Sequence, residues 1–285
     1  MTADLLALLW APFLMCLVLT GIHAYLGLHV VAREVVFVDI ALAQIAALGA
    51  TGAFLVGFEL DSAVSYQFGL GATLIGAVVL AVSRTRERWV SQEAVIGVVY
   101  AVSAAAAVLL LARAPHGAEH LRSMLVGNIL TVSGAEVLKT ALIYALVGAL
   151  HWRWRRPFLL ITLNPAEAFR QGLAVRWWDF LFYATFGLVV TSSVRIAGVL
   201  LVFSYLIVPA LAATALGGSM GTRLLVGWAF GGLVSVLGVT ASAALDLPTG
   251  ATVVCAFGLT LLAFWPLTRF RRVREVDERS VRHSA

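Results

Sequence analysis

Apolar residues along this chain gather into long runs separated by short polar clusters. A bilayer core about 30 Å thick takes about 20 apolar residues per spanning helix, and about nine runs of that order can be read from the sequence. They extend from Leu5 to Val30, Val35 to Gly57, Val64 to Ser83, Glu93 to Ala112, Val137 to Leu150, Trp177 to Ser192, Ile196 to Leu216, Leu224 to Leu245 and Ala251 to Leu267. The fifth and sixth are short, which a tilted or extended helix accommodates. The pattern predicts an all-α fold, a polytopic membrane bundle of eight to nine transmembrane helices. The first segment, MTADLLALLW, lacks the basic region of a signal peptide and is expected to stay as a span.

The polar clusters orient the spans, because loops on the cytoplasmic side carry the excess of Lys and Arg. Arg84 to Arg88, His151 to Arg156, Arg170 to Arg176 and the tail from Arg269 fall on one side. Glu59, Asp61, the stretch around HGAEH and Asp246 fall on the other, where Arg113, Arg122 and Arg195 weaken the asymmetry without reversing it. The expected arrangement is a multi-pass membrane protein, with a transmembrane domain over residues 1–268 and a cytoplasmic basic tail over 269–285. That tail holds six Arg and three acids, a composition suited to lipid headgroups.

One segment on the basic side stands apart. LITLNPAEAFRQGLAVRWWDF has a helix start at Asn164-Pro165 and a stop at Gly172, and so predicts a short helix outside the bilayer. Such a helix is either an interfacial anchor, with Trp177 and Trp178 at the membrane boundary, or a docking surface for a soluble partner.

Composition agrees with the spans: 61% of residues are hydrophobic and 12% charged, and soluble domains hold about 25% charged residues. The net charge of +5 lies in clusters between apolar runs, which argues for a membrane surface and against a nucleic-acid partner. Cys16 and Cys255 sit singly in apolar segments and read as small buried hydrophobes. The small-residue runs ALAQIAALGATGAFLVG and AFGGLVSVLGVTASAA allow backbones to approach closely.

Candidate metal chemistry begins at His116-Gly-Ala-Glu119-His120, which fits the H-x-x-E-H pattern of inverted zinc proteases. Pro115 and Gly117 give the stretch the composition of a turn, and a third ligand would have to come from elsewhere. A solvated loop is therefore the expectation, with a membrane metalloenzyme as the alternative of another class. His23 and His29 lie in or at the end of the first span, where hydrogen bonding to a neighbouring helix is expected.

LNPAEAFRQGL resembles the cytoplasmic coupling segment, D-P-E-x-A-x-x-x-G, of permeases of the ATP-binding-cassette metal importers for zinc, manganese or iron, the ABC-3 type. GLHVVAREVVFVDIALAQIAALG, HLRSMLVGNILTVSGAEV and RIAGVLLVFSYLIVPALAATAL followed by LDLPTGATVV are similar to the same family in the same order, from Gly27 to Val254. The resemblance implies a homodimeric permease of a bacterial inner membrane, with no catalytic residue and no stably bound cofactor. A divalent metal is its cargo, and ATP is hydrolysed on a separate cytoplasmic ABC ATPase. It also implies a periplasmic or surface-anchored metal-binding protein that delivers the ion. Asn164, Pro165, Ala166, Glu167, Ala168 and Gly172 then form the coupling segment. A metal chelate or another small solute is the alternative cargo.

The sequence departs from the family in the second span. Where the family has G-D-A-x-S-H, with Asp and His four residues apart on one helical face, this chain has Asp39-Ile-Ala-Leu-Ala-Gln44. Asp39 and Gln44 are about 140° apart around a helix and cannot form the same pair. Asp39 is a pathway candidate as an intramembrane carboxylate, or else pairs with Arg33 or interacts with the helix dipole. Gln44 lines the pathway or bonds a neighbouring helix, and Glu93 lines the pathway or caps its helix after Ser91. His116, Glu119 and His120 are candidates for transient metal contact on the outer side. No stable metal site is expected.

Overall fold

In lipid every backbone N–H and C=O has to be satisfied within the chain, so a long apolar run folds as a helix. A computed structural model describes residues 3–59, 62–84, 91–112, 127 and 129–264, with side chains from residue 9 onward. The helices are α1 (Ala3–Ala32), α2 (Val38–Leu55), α3 (Ala63–Ser83), α4 (Gln92–Leu111) and α5 (Gly134–Arg153). They are followed by α6 (Arg155–Leu163), α7 (Pro165–Arg170), α8 (Val175–Ala197), α9 (Val199–Leu216) and α10 (Met220–Leu245). A shorter apolar helix, α11, covers Thr249–Phe264. Eight helices, α1 to α5 and α8 to α10, are long and apolar enough to cross a membrane, in agreement with the bundle expected from the sequence.

Serine starts many of these helices, because its hydroxyl accepts from an N–H that the first turn leaves free. Ser62, Ser91 and Ser219 accept from the N–H of Ser65, Ala94 and Thr222. Ser133 and Glu136 close a reciprocal capping box on α5. The fifth and sixth expected spans are longer than their apolar runs. α5 carries His151 and Arg153 within its last turn, and α8 carries Arg195 in the same position. A few polar residues at a helix end do not stop the helix, and apolar length alone underestimates it.

α1 packs along α9 and α10, while α2 packs with α3, α4 and α8, and α3 with α8. α1 and α8 occupy the interior, with Met15, Leu19, Leu26, Phe182, Tyr183 and Phe186 fully buried. The outer faces are apolar too: Leu138, Leu142 and Leu146 of α5, at helical spacing, are all more than half exposed, as side chains facing lipid would be. Close crossings use the small residues noted in the sequence. A Cβ on Gly27 would stand 1.9 Å from the Leu206 carbonyl oxygen, and one on Gly49 would stand 2.6 Å from that of Phe68. The two cysteines differ. Cys16 is buried as expected, whereas Cys255, on α11, is exposed.

Candidate functional site

α2 separates the two residues that the sequence considered together. Asp39, in the first turn, is 2% exposed, and its Oδ1 accepts the N–H of Ile40 at 2.7 Å. The carboxylate therefore sits at a helix N-terminus, where the dipole favours negative charge. Arg33, the other partner considered for it, is engaged elsewhere. Gln44 lies on the opposite flank, half-buried and without a hydrogen-bond partner among the described residues. Ile40, Gln44, Leu48 and Gly52 repeat every four residues and form the partly exposed stripe of α2. A Cβ on Gly52 would meet nothing within 4 Å.

Glu93 does not cap α4, although it follows Ser91. Ser91 performs that task, its hydroxyl accepting the N–H of Ala94 at 3.2 Å. The Glu93 side chain instead reaches across to the turn before α2, where Oε1 accepts the N–H of Phe37 at 3.2 Å. Its Oε2 is buried with no hydrogen-bond partner among the described residues. Through Phe37, two residues before Asp39, Glu93 stands at the same end of α2 as that acid. The structure thus brings Asp39 and Glu93 together at one end of α2 and leaves Gln44 on its open face.

The segment 164–172 folds as its residues dictate. Asn164 Oδ1 accepts the N–H of Glu167 at 3.1 Å, and Pro165 occupies the first turn, where a missing N–H costs nothing. Gly172 ends the turn at φ 72°, a conformation that L side chains resist. Ala168 is buried against Ile161 and Val175, which fixes the face turned to the bundle. Asn164, Ala166 and Arg170 are exposed. Glu167 bonds to Gln171 Nε2 at 2.8 Å and to Arg170. These partners hold its carboxyl below the ordinary carboxylate value, Gln171 contributing most.

A buried polar network that the sequence reading missed ties this segment to the spans. Arg33, the residue after α1, donates from Nη1 to Asp179 Oδ1 of α8 at 2.8 Å and lies over the Phe182 ring at 4.0 Å. Arg84, after α3, meets the same carboxylate at 3.0 Å. The Thr162 hydroxyl of α6 accepts from Arg33 Nε at 2.9 Å and lies 2.7 Å from His29 Nδ1. Further along, His151 contacts Tyr25 at 3.2 Å and Thr185 at 2.8 Å, and stacks on Phe158. The signal available in the sequence was the pair of opposite charges in AREVV and WWDF, since ionisable residues near a bilayer usually face a partner. Both histidines of the first span bond to neighbouring helices as expected, His23 to Ser193 at 3.1 Å and His29 to Thr162.

His116, Glu119, His120 and the tail over 269–285 lie outside the described residues. Among the described residues no three His, Cys, Asp or Glu side chains gather as a metal site.

Compared with known proteins, residues 6–266 match the ABC 3 transport family. The chain belongs to the ABC 3 transport family. Among relatives of this ABC 3 protein, a manganese transport system membrane protein of Halalkalibacterium halodurans is 26% identical over 264 residues, covering 90% of this chain and 88% of its own. A probable iron transport system membrane protein of Haemophilus influenzae is 33% identical over 149 residues, 51% of this chain and 55% of its own. The fold matches that of PsaBC from Streptococcus pneumoniae, solved in complex with Fab, with a TM-score of 0.77 at 19% identity, covering 96% of this chain and all of that one. An ABC 3 chain is a membrane transport subunit and not an enzyme, with ATP hydrolysis falling to a separate subunit.

Proposed function

We propose that this chain is the permease of an importer that carries a divalent metal ion, zinc or manganese before iron, across a bacterial inner membrane. The observation that supports this most is the match over 90% of the chain to a manganese transport system membrane protein. Two copies form the pathway, with the open stripe of α2 toward the axis and Gln44 as the polar group on it. Asp39 and Glu93 supply negative charge at the cytoplasmic end of α2, where an ion leaving the pathway is attracted. His116, Glu119 and His120 meet the ion or its binding protein on the outer side, and the tail over 269–285 rests on lipid headgroups.

The ATPase docks on Asn164 to Gly172, whose inward face is fixed by Ala168 and whose outward face is polar. The arginines at residues 33, 84, 153, 155 and 156 mark the same end as cytoplasmic. A second reading, import of a metal chelate, draws on Gln44: a neutral amide is a weak ligand for a bare zinc ion compared with imidazole.

Elemental analysis tests the proposal. Cells lacking the gene, grown in depleted medium with zinc, manganese and iron restored one at a time, are expected to lose one metal selectively, and the intact chain should restore it. Unchanged contents of all three would remove the bare-ion reading.

A further inference from the structure

Thr162 occupies an unusual place in the chain. It lies two residues before the coupling segment, on α6, a helix of 9 residues whose buried side chains are Phe158, Ile161 and Thr162. Ile161 packs on Ala168 and Val175, and so belongs mechanically to the coupling segment itself. Phe158 makes ring contacts with His151, Trp178 and Phe182. Thr162 alone of the three makes a polar tie, and both of its partners, His29 and Arg33, stand where α1 ends and the turn to α2 begins.

Arg33 is in turn held on two further sides, by Asp179 and by the face of Phe182. Its side chain is 1% exposed, so it cannot trade these partners for water. The next backbone group along the turn with a side-chain partner is the N–H of Phe37, held by Glu93. One residue later α2 begins, with Asp39 and the Gln44 stripe. A short route therefore runs from the coupling segment through the Thr162 hydroxyl and Arg33 into α2. Breaking a buried hydrogen bond leaves a costly unsatisfied group, so this contact is either made or broken and does not yield gradually.

Resting on the importer reading above, we propose that Thr162 and Arg33 are positioning residues for transport, and that the Thr162 hydroxyl transmits movement of the coupling segment to α2. A hydroxyl is required because it accepts from Arg33 Nε–H while still bonding His29 Nδ1. Valine has nearly the same shape and can do neither.

The test places a reporter on the open face of α2, as Gln44→Cys in a Cys255→Ser background, since Cys16 is buried and Cys255 exposed. The thiol labelling rate is measured in the complex with the ATPase, with and without ATP and vanadate. The nucleotide-dependent change in rate is expected in the reporter protein, to persist in Thr162→Ser, and to shrink by about tenfold in Thr162→Val. His29→Phe keeps an aromatic ring and removes one of the two bonds, and is expected to reduce the change as well. Thermal unfolding and co-purification of the ATPase are followed alongside.

An undiminished change in Thr162→Val, or an equal loss in Thr162→Ser and Thr162→Val, overturns the proposal. So does loss of ATPase binding or folding in Thr162→Val with an unaltered response in His29→Phe, because the hydroxyl would then be structural. The labelling needs no cargo. Failure of the importer reading appears separately, as absent uptake of zinc, manganese and iron by the wild-type complex, whereas absence of any nucleotide-dependent change in the reporter protein with uptake intact would overturn the link to α2 alone.

Discussion

Arg33 and Asp179 are 146 residues apart in sequence and 2.8 Å apart in space, and their side chains are 1% and 0% exposed. Arg84 shares the same carboxylate from α3, so one acid joins the ends of α1, α3 and α8.

Replacing that acid should be severe. Asp179→Asn leaves the Arg33 guanidinium buried without a counter-charge, and the expected loss is about 3–5 kcal/mol of stability. Arg84→Ala should cost less, since Arg84 keeps 13% exposure and Arg33 still neutralises the carboxylate. Thermal unfolding of the three purified proteins in detergent gives the order.

Gly27 and Gly52 should respond in opposite ways to the same change. Gly27→Ala drives a methyl into the Leu206 carbonyl and should cost about 1–3 kcal/mol or disrupt the α1–α9 crossing. Gly52→Ala meets open space and should be neutral or stabilising by up to about 1 kcal/mol, because helix interiors disfavour glycine. Gly52→Leu is expected to fold and to reduce metal uptake, as an obstruction on the proposed pathway face.

Gln44 should matter for transport and not for folding. Gln44→Ala is expected to leave stability within about 0.5 kcal/mol, since no hydrogen bond within the described residues is lost. Gln44→His supplies an imidazole and should retain zinc or manganese more strongly, measured by competition with a chelating dye. Unaltered uptake in both variants would remove Gln44 from the pathway.

The docking assignment predicts a particular pH behaviour. Gln171 and Arg170 lower the Glu167 carboxyl from its ordinary value of 4.5, so the group is ionised above that value and loses its contribution only as pH falls through the lowered one. Stimulation of the ATPase by the permease should therefore show no titration by Glu167 between about pH 8 and 5. Glu167→Arg should uncouple ATP hydrolysis from transport without altering unfolding. Full coupled activity in both Glu167→Arg and Gly172→Trp would show that the ATPase docks elsewhere.

The sequence by itself determined the elements. Apolar length specified the spans, and Asn164-Pro165 with Gly172 specified the short helix between α6 and α8, because bilayer thickness and helix-end chemistry are local constraints. It also determined that Asp39 and Gln44 cannot share a face, which follows from helical period alone.

Only the tertiary structure decided partners. Arg33 read as a candidate partner of Asp39, and it took Asp179, which lies on a helix that packing brings alongside. Glu93 looked like a helix cap and became a brace for Phe37, because α4 crosses α2 at that turn. His151 read as part of a basic loop and is buried beneath Phe158. Burying a charge or a ring nitrogen requires a partner in space, and one-dimensional pattern does not contain the distances that select it.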